Sequence, residues 1–410
     1  MISNDSQHFR LDVQGLRGLA VALVIIDHAG WGLTGGYIGV DVFFVISGFV
    51  ITETLIREIR DTGRISMSNF YSRRVRRLVP ASTVVILATL ILSLFVLSPG
   101  IEHEKAAAAG LASMFFVPNI RYILEGGYFF LAADPFRHFW SLGVEEQFYL
   151  AFPVALLLVF RVADSDLRRF RRLSIAAAVG ITLISFIFAS LLSLGFRIFP
   201  LPTRLSFFGT PFRMWELLIG SMVSLTTTTT QHFRLDSYRH LARLLGLGMI
   251  IVPAVMYDEF TLFPGISALP PVLGTALLIL SGAGDSHCVP LLTSRPLTFL
   301  GDVSYGLYLW HWPLIVFAQR IWTDNQLSVV LAVVVSVVLS TFQYQYLEMP
   351  FRRRSTLRGR SAVAIVTVAA VLVSAVSLGL TRISQTGLGL ESAAMFEQSE
   401  RIGDSCSYDS

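Results

Sequence analysis

Two ionisable residues in the first apolar run, Arg17 and His28, are spaced to lie on one face of a helix. Eleven residues at 100° each return to within about 20° of the same direction, and their rise separates the side chains by about 16.5 Å. Ionisable groups inside a membrane span cost roughly 2.5–3.5 kcal/mol each, so a functional interpretation is the default. The imidazole can act as a general base, with Asp27 beside it about 100° round the helix. The alternative is that neighbouring helices satisfy Arg17 and His28 as packing contacts.

The second apolar run begins with GVDVFFVISGF, residues 39–49, and carries a carboxylate at its outer end. Asp41 is predicted either to position the His28 ring or an incoming hydroxyl, or to cap a helix. Ser47 and Gly48, in the middle of this run, are small enough to let another helix approach closely.

Four arginines follow in FYSRRVRRLVP, residues 70–80, at Arg73, Arg74, Arg76 and Arg77. Guanidinium groups bind phosphate in a bidentate manner, so this segment is a candidate contact for a nucleotide-bearing donor. The alternative is a cytoplasmic anchor that binds anionic membrane lipid.

Two further segments add polar side chains to apolar runs. HFWSLGVEEQFYL, residues 138–150, places Trp140, Ser141, Glu145 and Glu146 at the outer start of a span. Adjacent glutamates project about 100° apart, so at most one is expected to face a cavity squarely. Glycoside hydrolysis needs two carboxylates across a sugar, which neighbours on one helix fit poorly.

The last such segment, SYGLYLWHWPL at residues 304–314, carries Ser304 and His311 seven residues apart on one helical face. A second imidazole there could line the same cavity as His28, or it could occupy a membrane-interface position among aromatic rings. Arg213 and Glu216, one helical turn apart, are predicted to form a structural pair.

The composition shows what must hold these residues. Of 410 residues 53% are apolar and 15% charged, against roughly 25% charged in an ordinary globular chain. This excludes a soluble domain, a disordered chain and, with two cysteines, a disulfide scaffold. The arginines cluster between apolar runs and no base-reading motif is present, so nucleic acid is not an expected partner. The sequence predicts an all-α, polytopic transmembrane helix bundle.

Twelve apolar runs approach the ~20 residues needed to cross a bilayer. They lie near 15–33, 36–57, 79–98, 106–124, 139–160, 173–194, 211–226, 243–257, 270–284, 300–319, 327–347 and 361–380. Arginine clusters at 57–77, 161–172 and 352–360 are predicted to be cytoplasmic. Three runs lie between the first two clusters where two crossings are required, so we predict that 106–124 is re-entrant or interfacial. Eleven spans remain, with the N-terminus cytoplasmic and the C-terminus extracytoplasmic.

Six segments, taken together and in order, resemble acyltransferase family 3, the integral-membrane O-acyltransferases that modify bacterial cell-surface glycans. They are QGLRGLAVALVIIDH (14–28), GYIGVDVFFVISGFVIT (36–52), FYSRRVRRLVP (70–80), HFWSLGVEEQFYL (138–150), SYGLYLWHWP (304–313) and YLEMPFR (346–352). The resemblance extends over about residues 10–355.

The resemblance implies roles for individual residues. His28 would deprotonate the acceptor hydroxyl, and Arg17 would orient the donor thioester or its phosphates. Arg73, Arg74 and Arg77 would contact coenzyme A. Trp140, Glu145 or Glu146, and His311 match later family segments and are assigned, with Ser141 and Ser304, to the cavity that receives the acceptor. Asp27 and Asp41 are included as candidate catalytic carboxylates.

The implied function is transfer of an acyl group, acetyl by default, from cytosolic acetyl-CoA to a hydroxyl of an extracytoplasmic carbohydrate or glycolipid at the bacterial cytoplasmic membrane. No metal-binding or phosphate-loop motif is present, so metal-free chemistry is predicted. The predicted division is a membrane acyltransferase domain at 1–355, an additional transmembrane helix at 356–380 and an extracytoplasmic linker at 381–410. In some family members such a linker leads to an SGNH domain. The alternative is a transporter or flippase of an acyl carrier or glycolipid.

Overall fold

The structure is a computed structural model that describes residues 10–125, 134–227, 238–282, 290–353 and 360–385. Its α-helices are α1 (Leu11–His28), α2 (Gly39–Thr62), α3 (Met67–Val96), α4 (Ile101–Met114), α5 (Pro118–Glu125), α6 (Phe139–Val162), α7 (Leu167–Ser193), α8 (Pro202–Phe208), α9 (Thr210–Thr227), α10 (Arg239–Met256), α11 (Leu269–Ser281), α12 (Arg295–Ile321), α13 (Gln326–Gln343), α14 (Met349–Arg353) and α15 (Arg360–Gln385). A π-helical turn, Tyr344–Glu348, joins α13 to α14. Within these ranges every regular element is helical, which confirms the predicted all-α class.

Eleven of the twelve predicted apolar runs fall mainly on one long helical segment each, the exception being 106–124, and seven helical segments among the described residues are long and apolar enough to cross a membrane. These seven are Gly36–Thr62, Met67–Val96, Phe139–Val162, Leu167–Ser193, Arg239–Met256, Gln326–Phe351 and Ser361–Gln385. Helix α11 is shorter, and α1, α9 and α12 carry polar and ionisable side chains such as Arg17, Arg213 and His311. The chain is therefore a multi-span membrane protein, while the count of eleven spans stays a prediction.

The run at 106–124 is broken in the structure. Helix α4 has 14 residues, or about 21 Å of rise against a hydrocarbon core of about 30 Å. A turn separates it from α5, which has 8 residues. Asn119 on α5 donates to the backbone oxygen of Phe208 at 3.0 Å. The short helices are therefore anchored to the bundle by polar contacts, and their re-entrant position stays a prediction.

Close packing of helix backbones positions the helices of the site. A methyl group added at Gly48 of α2 would lie 1.8 Å from the Leu217 oxygen of α9, and one at Gly220 would lie 1.9 Å from the Val45 oxygen. The close approach predicted at Gly48 is thus confirmed. Only residues without a Cβ allow these backbones to touch, so α2 and α9 hold a single register.

The C-terminal helix α15 packs along α3 and α4 on the outside of the bundle. Near its end, Ser384 donates to the Gly100 oxygen at 3.0 Å. Beyond Gln385 the predicted linker lies outside the described residues, as do Cys288 and Cys406. The three-part division of the chain stays a prediction.

Candidate active site

Helices α1 and α12 bring the two predicted same-face pairs into contact. Arg17 donates to the Ser304 hydroxyl at 2.7 Å, and the His28 Nδ1 atom lies 3.0 Å from the His311 Nε2 atom. The contact that lies later in α1 also lies later in α12, so the two helices run parallel.

Glycines on both helices permit this alignment. A methyl group at Gly18 would lie 2.0 Å from the Leu297 oxygen, and one at Gly301 would lie 1.9 Å from the Gln14 oxygen. The α1 and α12 backbones therefore touch directly, which fixes the level at which Arg17 and His28 meet their partners.

Hydrogen bonding determines the tautomers of the two imidazoles. The His311 Nδ1 atom lies 3.1 Å from the Leu307 backbone oxygen. A carbonyl oxygen only accepts hydrogen bonds, so Nδ1 of His311 carries the proton and its Nε2 is the acceptor. His28 must then donate from Nδ1, which leaves its Nε2 lone pair available. This is the arrangement that a general base requires, with His311 as the group that orients it.

An inner cavity of about 830 Å³, its open mouth included, lies toward the arginine-rich end of the bundle. Seven residues that the sequence analysis proposed for catalysis or substrate binding line this cavity: Arg17, Arg74, Arg77, Ser141, Glu145, Glu146 and Ser304. The serines and glutamates line the same space as the arginines, and their assignment to the acceptor stays a prediction.

Arg74, one of the cations that the sequence proposed for the donor, is enclosed by an aromatic ring and two carboxylates. Its guanidinium carbon lies 3.5 Å from the centre of the Tyr149 ring, and its Nη2 atom lies 3.8 Å from Glu145 and 3.6 Å from Glu146. Both glutamates therefore face the cavity, and the prediction that at most one does so is wrong. The reason is that Arg74 lies between the two side chains, so a 100° divergence still leaves both within reach.

Arg73 differs from the other two predicted donor-binding arginines. It points away from the inner cavity, is about half exposed, and donates to Glu58 at 2.8 Å. Neighbouring residues on a helix project about 100° apart, and Arg73 lies on the side of α3 where Glu58 is its partner.

The Glu145 carboxylate holds two hydroxyl groups at the wall of the inner cavity. Ser47 and Tyr149 both donate to its Oε1 atom. Sequence reasoning assigned Ser47 to packing only and did not include Tyr149. The signal for Tyr149 was its spacing of four residues from Glu145, which places the two on one helical face.

An outer cavity of about 460 Å³, its mouth included, contains the His28 ring. Trp140, predicted for the acceptor cavity, lines it, together with three residues that sequence reasoning missed: Arg137, His138 and Trp312. The Trp312 ring packs edge-on against His28, with centroids 4.6 Å apart. Asp27, half-buried beside Gly36, lines neither cavity.

Asp41, in the first turn of α2, also borders the outer cavity, but its carboxylate pairs with Arg213 at 2.9 Å and not with His28. The expectation that Asp41 positions His28 is therefore corrected, since His311 does this.

Arg213 lies 3.2 Å from Glu216 as well, as the sequence predicted. All three side chains are at most 1% exposed. They form a buried charged triad between α2 and α9.

Tyr308 and Val40 line both cavities and so lie at the partition between them. The Tyr308 hydroxyl donates to the His138 oxygen at 3.0 Å and lies 2.6 Å from the Ser141 Oγ atom. The Tyr308 ring therefore lies where the two cavities adjoin.

Within the described ranges, no three His, Cys, Asp or Glu side chains are grouped closely enough to hold a metal ion. The polar groups of the two cavities are cations, carboxylates, hydroxyls and imidazoles. Such groups can bind phosphate, orient a thioester and remove a proton from an alcohol.

Comparison with known proteins agrees with this chemistry. The profile of acyltransferase family 3, described as an acyltransferase domain, matches residues 10–344. This match spans more than half of the chain, and the protein belongs to that family of membrane acyltransferases.

Three curated relatives illustrate the similarity. A proposed O-acetyltransferase of Staphylococcus aureus (strain COL) is 32% identical over 365 residues, which cover 83% of this chain and 57% of the relative. YrhL of Bacillus subtilis (strain 168), a proposed peptidoglycan O-acetyltransferase, is 31% identical over 85% of this chain and 56% of its own length. The O-acetyltransferase OatA of Staphylococcus aureus (strain NCTC 8325 / PS 47) is 30% identical, with 83% and 57% coverage. The chain thus spans somewhat more than half the length of these relatives. No solved structure matches it significantly.

Proposed function

We propose that this protein is a membrane O-acetyltransferase that moves an acetyl group from cytosolic acetyl-CoA to a hydroxyl of an extracytoplasmic cell-surface carbohydrate or glycolipid. The observation that carries the proposal is the placement of Arg17 in the inner cavity and of the His28 base in the outer one, on a single helix. Helix α1 therefore places a cation in the inner cavity and the proposed base in the outer cavity.

The inner cavity suits the donor. Coenzyme A carries several phosphate charges, and Arg74 and Arg77 supply guanidinium groups at the end of the bundle that the positive-inside rule makes cytoplasmic. Arg17 lies deeper and is held by Ser304. We assign Arg74 and Arg77 to the phosphates and Arg17 to the thioester end of the pantetheine arm.

The outer cavity suits the acceptor. The Nε2 atom of His28 takes the proton from the acceptor hydroxyl as its oxygen attacks the thioester carbonyl. The carbon–sulfur bond breaks, the coenzyme A thiolate leaves, and the proton held by His28 then passes to that thiolate. The products are an O-acetyl ester and free coenzyme A, and no external oxidant or reductant is needed.

The relatives direct the choice of acceptor to test. The name of YrhL specifies peptidoglycan, so peptidoglycan is the first glycan that we propose for this chain. The corresponding location is the bacterial cytoplasmic membrane, with acetyl-CoA bound from inside and the acceptor from outside.

The test is acetyl transfer in inverted membrane vesicles supplied with acetyl-CoA carrying a labelled acetyl group. Wild-type protein should release coenzyme A and place label in alkali-labile esters of the glycan. His28→Asn retains a side-chain N–H donor toward His311 but lacks the basic nitrogen that Nε2 supplies. Ester formation should therefore fall by about 10²–10⁴-fold. The matched control is His240→Asn, at an exposed histidine of α10, which should behave as wild type.

Two results would contradict the proposal. Normal ester formation by His28→Asn would show that His28 is not the general base. Movement of an acyl carrier or glycolipid across the membrane without cleavage of the thioester would identify a transporter instead.

A further inference from the structure

Three helices bring a carboxylate and two hydroxyl groups next to Arg74 in the inner cavity. Ser47 belongs to α2, Arg74 to α3, and Glu145 and Tyr149 to α6. All four side chains line the inner cavity. The assignment of Arg74 to the donor does not explain why two hydroxyl groups converge on the carboxylate beside it.

The guanidinium group of Arg74 lies between two carboxylates without a hydrogen bond to either. Its Nη2 atom is 3.8 Å from the Oε1 atom of Glu145 and 3.6 Å from the Oε1 atom of Glu146. Hydrogen bonds of the N–H···O type span about 2.7–3.2 Å. An arginine and a carboxylate so close together ordinarily form a bidentate hydrogen-bonded pair. The protein must therefore contain a feature that prevents this pair.

The two hydroxyl groups supply that feature at Glu145. Ser47 and Tyr149 both donate to its Oε1 atom, the same oxygen that faces Arg74. A carboxylate oxygen has about two lone-pair sites, so two donors use its hydrogen-bonding capacity. Arg74 therefore has an attractive charge nearby but no acceptor site on that oxygen.

The ring of Tyr149 also orients the guanidinium group. The guanidinium carbon of Arg74 lies 3.5 Å from the centre of this ring, so the cation lies over the ring face. Contact of this kind is favourable for arginine and leaves the N–H groups at the edge of the guanidinium able to bind an anion. Tyr149 thus acts on Arg74 directly through its ring and indirectly through its hydroxyl group.

We propose that the hydroxyl groups of Ser47 and Tyr149 are positioning groups of the donor site. They occupy Glu145, so that Arg74 binds a phosphate of the donor instead of forming an ion pair with this carboxylate. Both hydroxyls contact Glu145 rather than the donor. This inference rests on the proposed donor site at Arg74, and it adds two positioning residues and a competing carboxylate.

The test removes both hydroxyl groups and keeps the shapes of the side chains. In the double variant Ser47→Ala/Tyr149→Phe, Glu145 loses both donors. Its Oε1 atom then pairs with Arg74, and a donor phosphate must displace it, so kcat/KM for acetyl-CoA should fall about 3- to 10-fold. Rates are measured with labelled acetyl-CoA and the full chain in inverted membrane vesicles. The matched control is Tyr346→Phe, which removes the hydroxyl of an exposed ring and should behave as wild type.

Removal of the competing charge separates this effect from damage to the fold. Glu145→Gln replaces the carboxylate by a neutral amide, which does not hold Arg74 as an ion pair. In this background the same two hydroxyl deletions should change kcat/KM for acetyl-CoA by less than about twofold. A loss that is equally large in both backgrounds would show that the hydroxyl groups do not act through Glu145, and the inference would be overturned.

A donor without phosphate shows which part of the substrate is affected. S-acetylpantetheine has the thioester and the pantetheine arm only, so the double variant should use it as well as wild type does. An equal loss with both donors would contradict a role at the phosphates. If the double variant keeps the wild-type kcat/KM for acetyl-CoA, the positioning role is wrong while acetyl transfer stands. If wild-type protein transfers no label, the proposed function itself fails.

Discussion

The His28 Nδ1 atom donates to the His311 Nε2 atom across 3.0 Å, between residues 283 positions apart in the chain. The Leu307 carbonyl accepts from the Nδ1 atom of His311, which leaves the Nε2 atom of His311 as the acceptor for His28. A carboxylate is the usual partner of such a base, and here a neutral imidazole has that place. The pair therefore orients the proposed base without adding a second charge to the membrane interior.

Replacement of His311 should affect turnover more than donor binding. His311→Ala removes the acceptor for the His28 Nδ1–H group, so His28 can adopt the wrong tautomer and ring orientation. We expect kcat to fall about 10- to 100-fold with little change in KM for acetyl-CoA. His311→Gln supplies an amide oxygen toward His28 and should recover part of the loss. Steady-state kinetics of both variants test this. An equal loss of kcat in the alanine and glutamine variants would contradict the role of His311 in orienting His28.

The inner arginines should act through the phosphates of the donor. Arg74→Ala and Arg77→Ala should each raise KM for acetyl-CoA by about 10- to 100-fold, as loss of a charge-assisted contact costs about 1.5–3 kcal/mol. Arg73→Ala is the matched control, since Arg73 pairs with Glu58 at the surface and should change KM less than twofold.

A truncated donor separates phosphate binding from folding in the same variants. With S-acetylpantetheine, which has no phosphate, Arg74→Ala and Arg77→Ala should equal wild type. An undiminished defect with this donor would show that the arginines act elsewhere.

The triad of Asp41, Arg213 and Glu216 should stabilise the fold only when it is complete. Arg213→Met leaves two buried carboxylates without their cation, and removal of one member of a buried ionic group costs about 3–5 kcal/mol. Thermal unfolding in detergent should show a clearly lowered midpoint. A triple replacement by Leu, Met and Leu should recover much of the stability, because no unpaired charge then remains. A triple variant that is less stable than Arg213→Met would refute this account.

The α2–α9 contact should tolerate no side chain at Gly48. Gly48→Ala places a methyl group 1.8 Å from the Leu217 oxygen, so the helices must separate. We expect loss of folded, monodisperse protein in size-exclusion chromatography. The control is Gly180→Ala on α7, where the added methyl group has no neighbour within 4 Å. Normal yield of Gly48→Ala would indicate that the two backbones are not in contact.

Several site residues were predictable because they depend on periodicity within one helix. The shared face of Arg17 and His28, and that of Ser304 and His311, follow from 100° per residue alone. Arg74 and Arg77, three residues apart, share a face for the same reason. His138 was missed although it opens a recognised segment, because a histidine just before a helix has no periodic partner to indicate its direction.

The amino-acid sequence by itself determined that this is an all-helical membrane protein, and it determined which polar residues share a helix face. These properties depend on composition and on the local geometry of the α-helix. The tertiary structure decided that Asp41 pairs with Arg213, that His28 donates to His311, and that Tyr308 divides two cavities. Such pairings join residues distant in the chain, and they depend on the depth at which helices touch. That depth is set by contacts such as Gly18 against Leu297, which no spacing within one helix can specify.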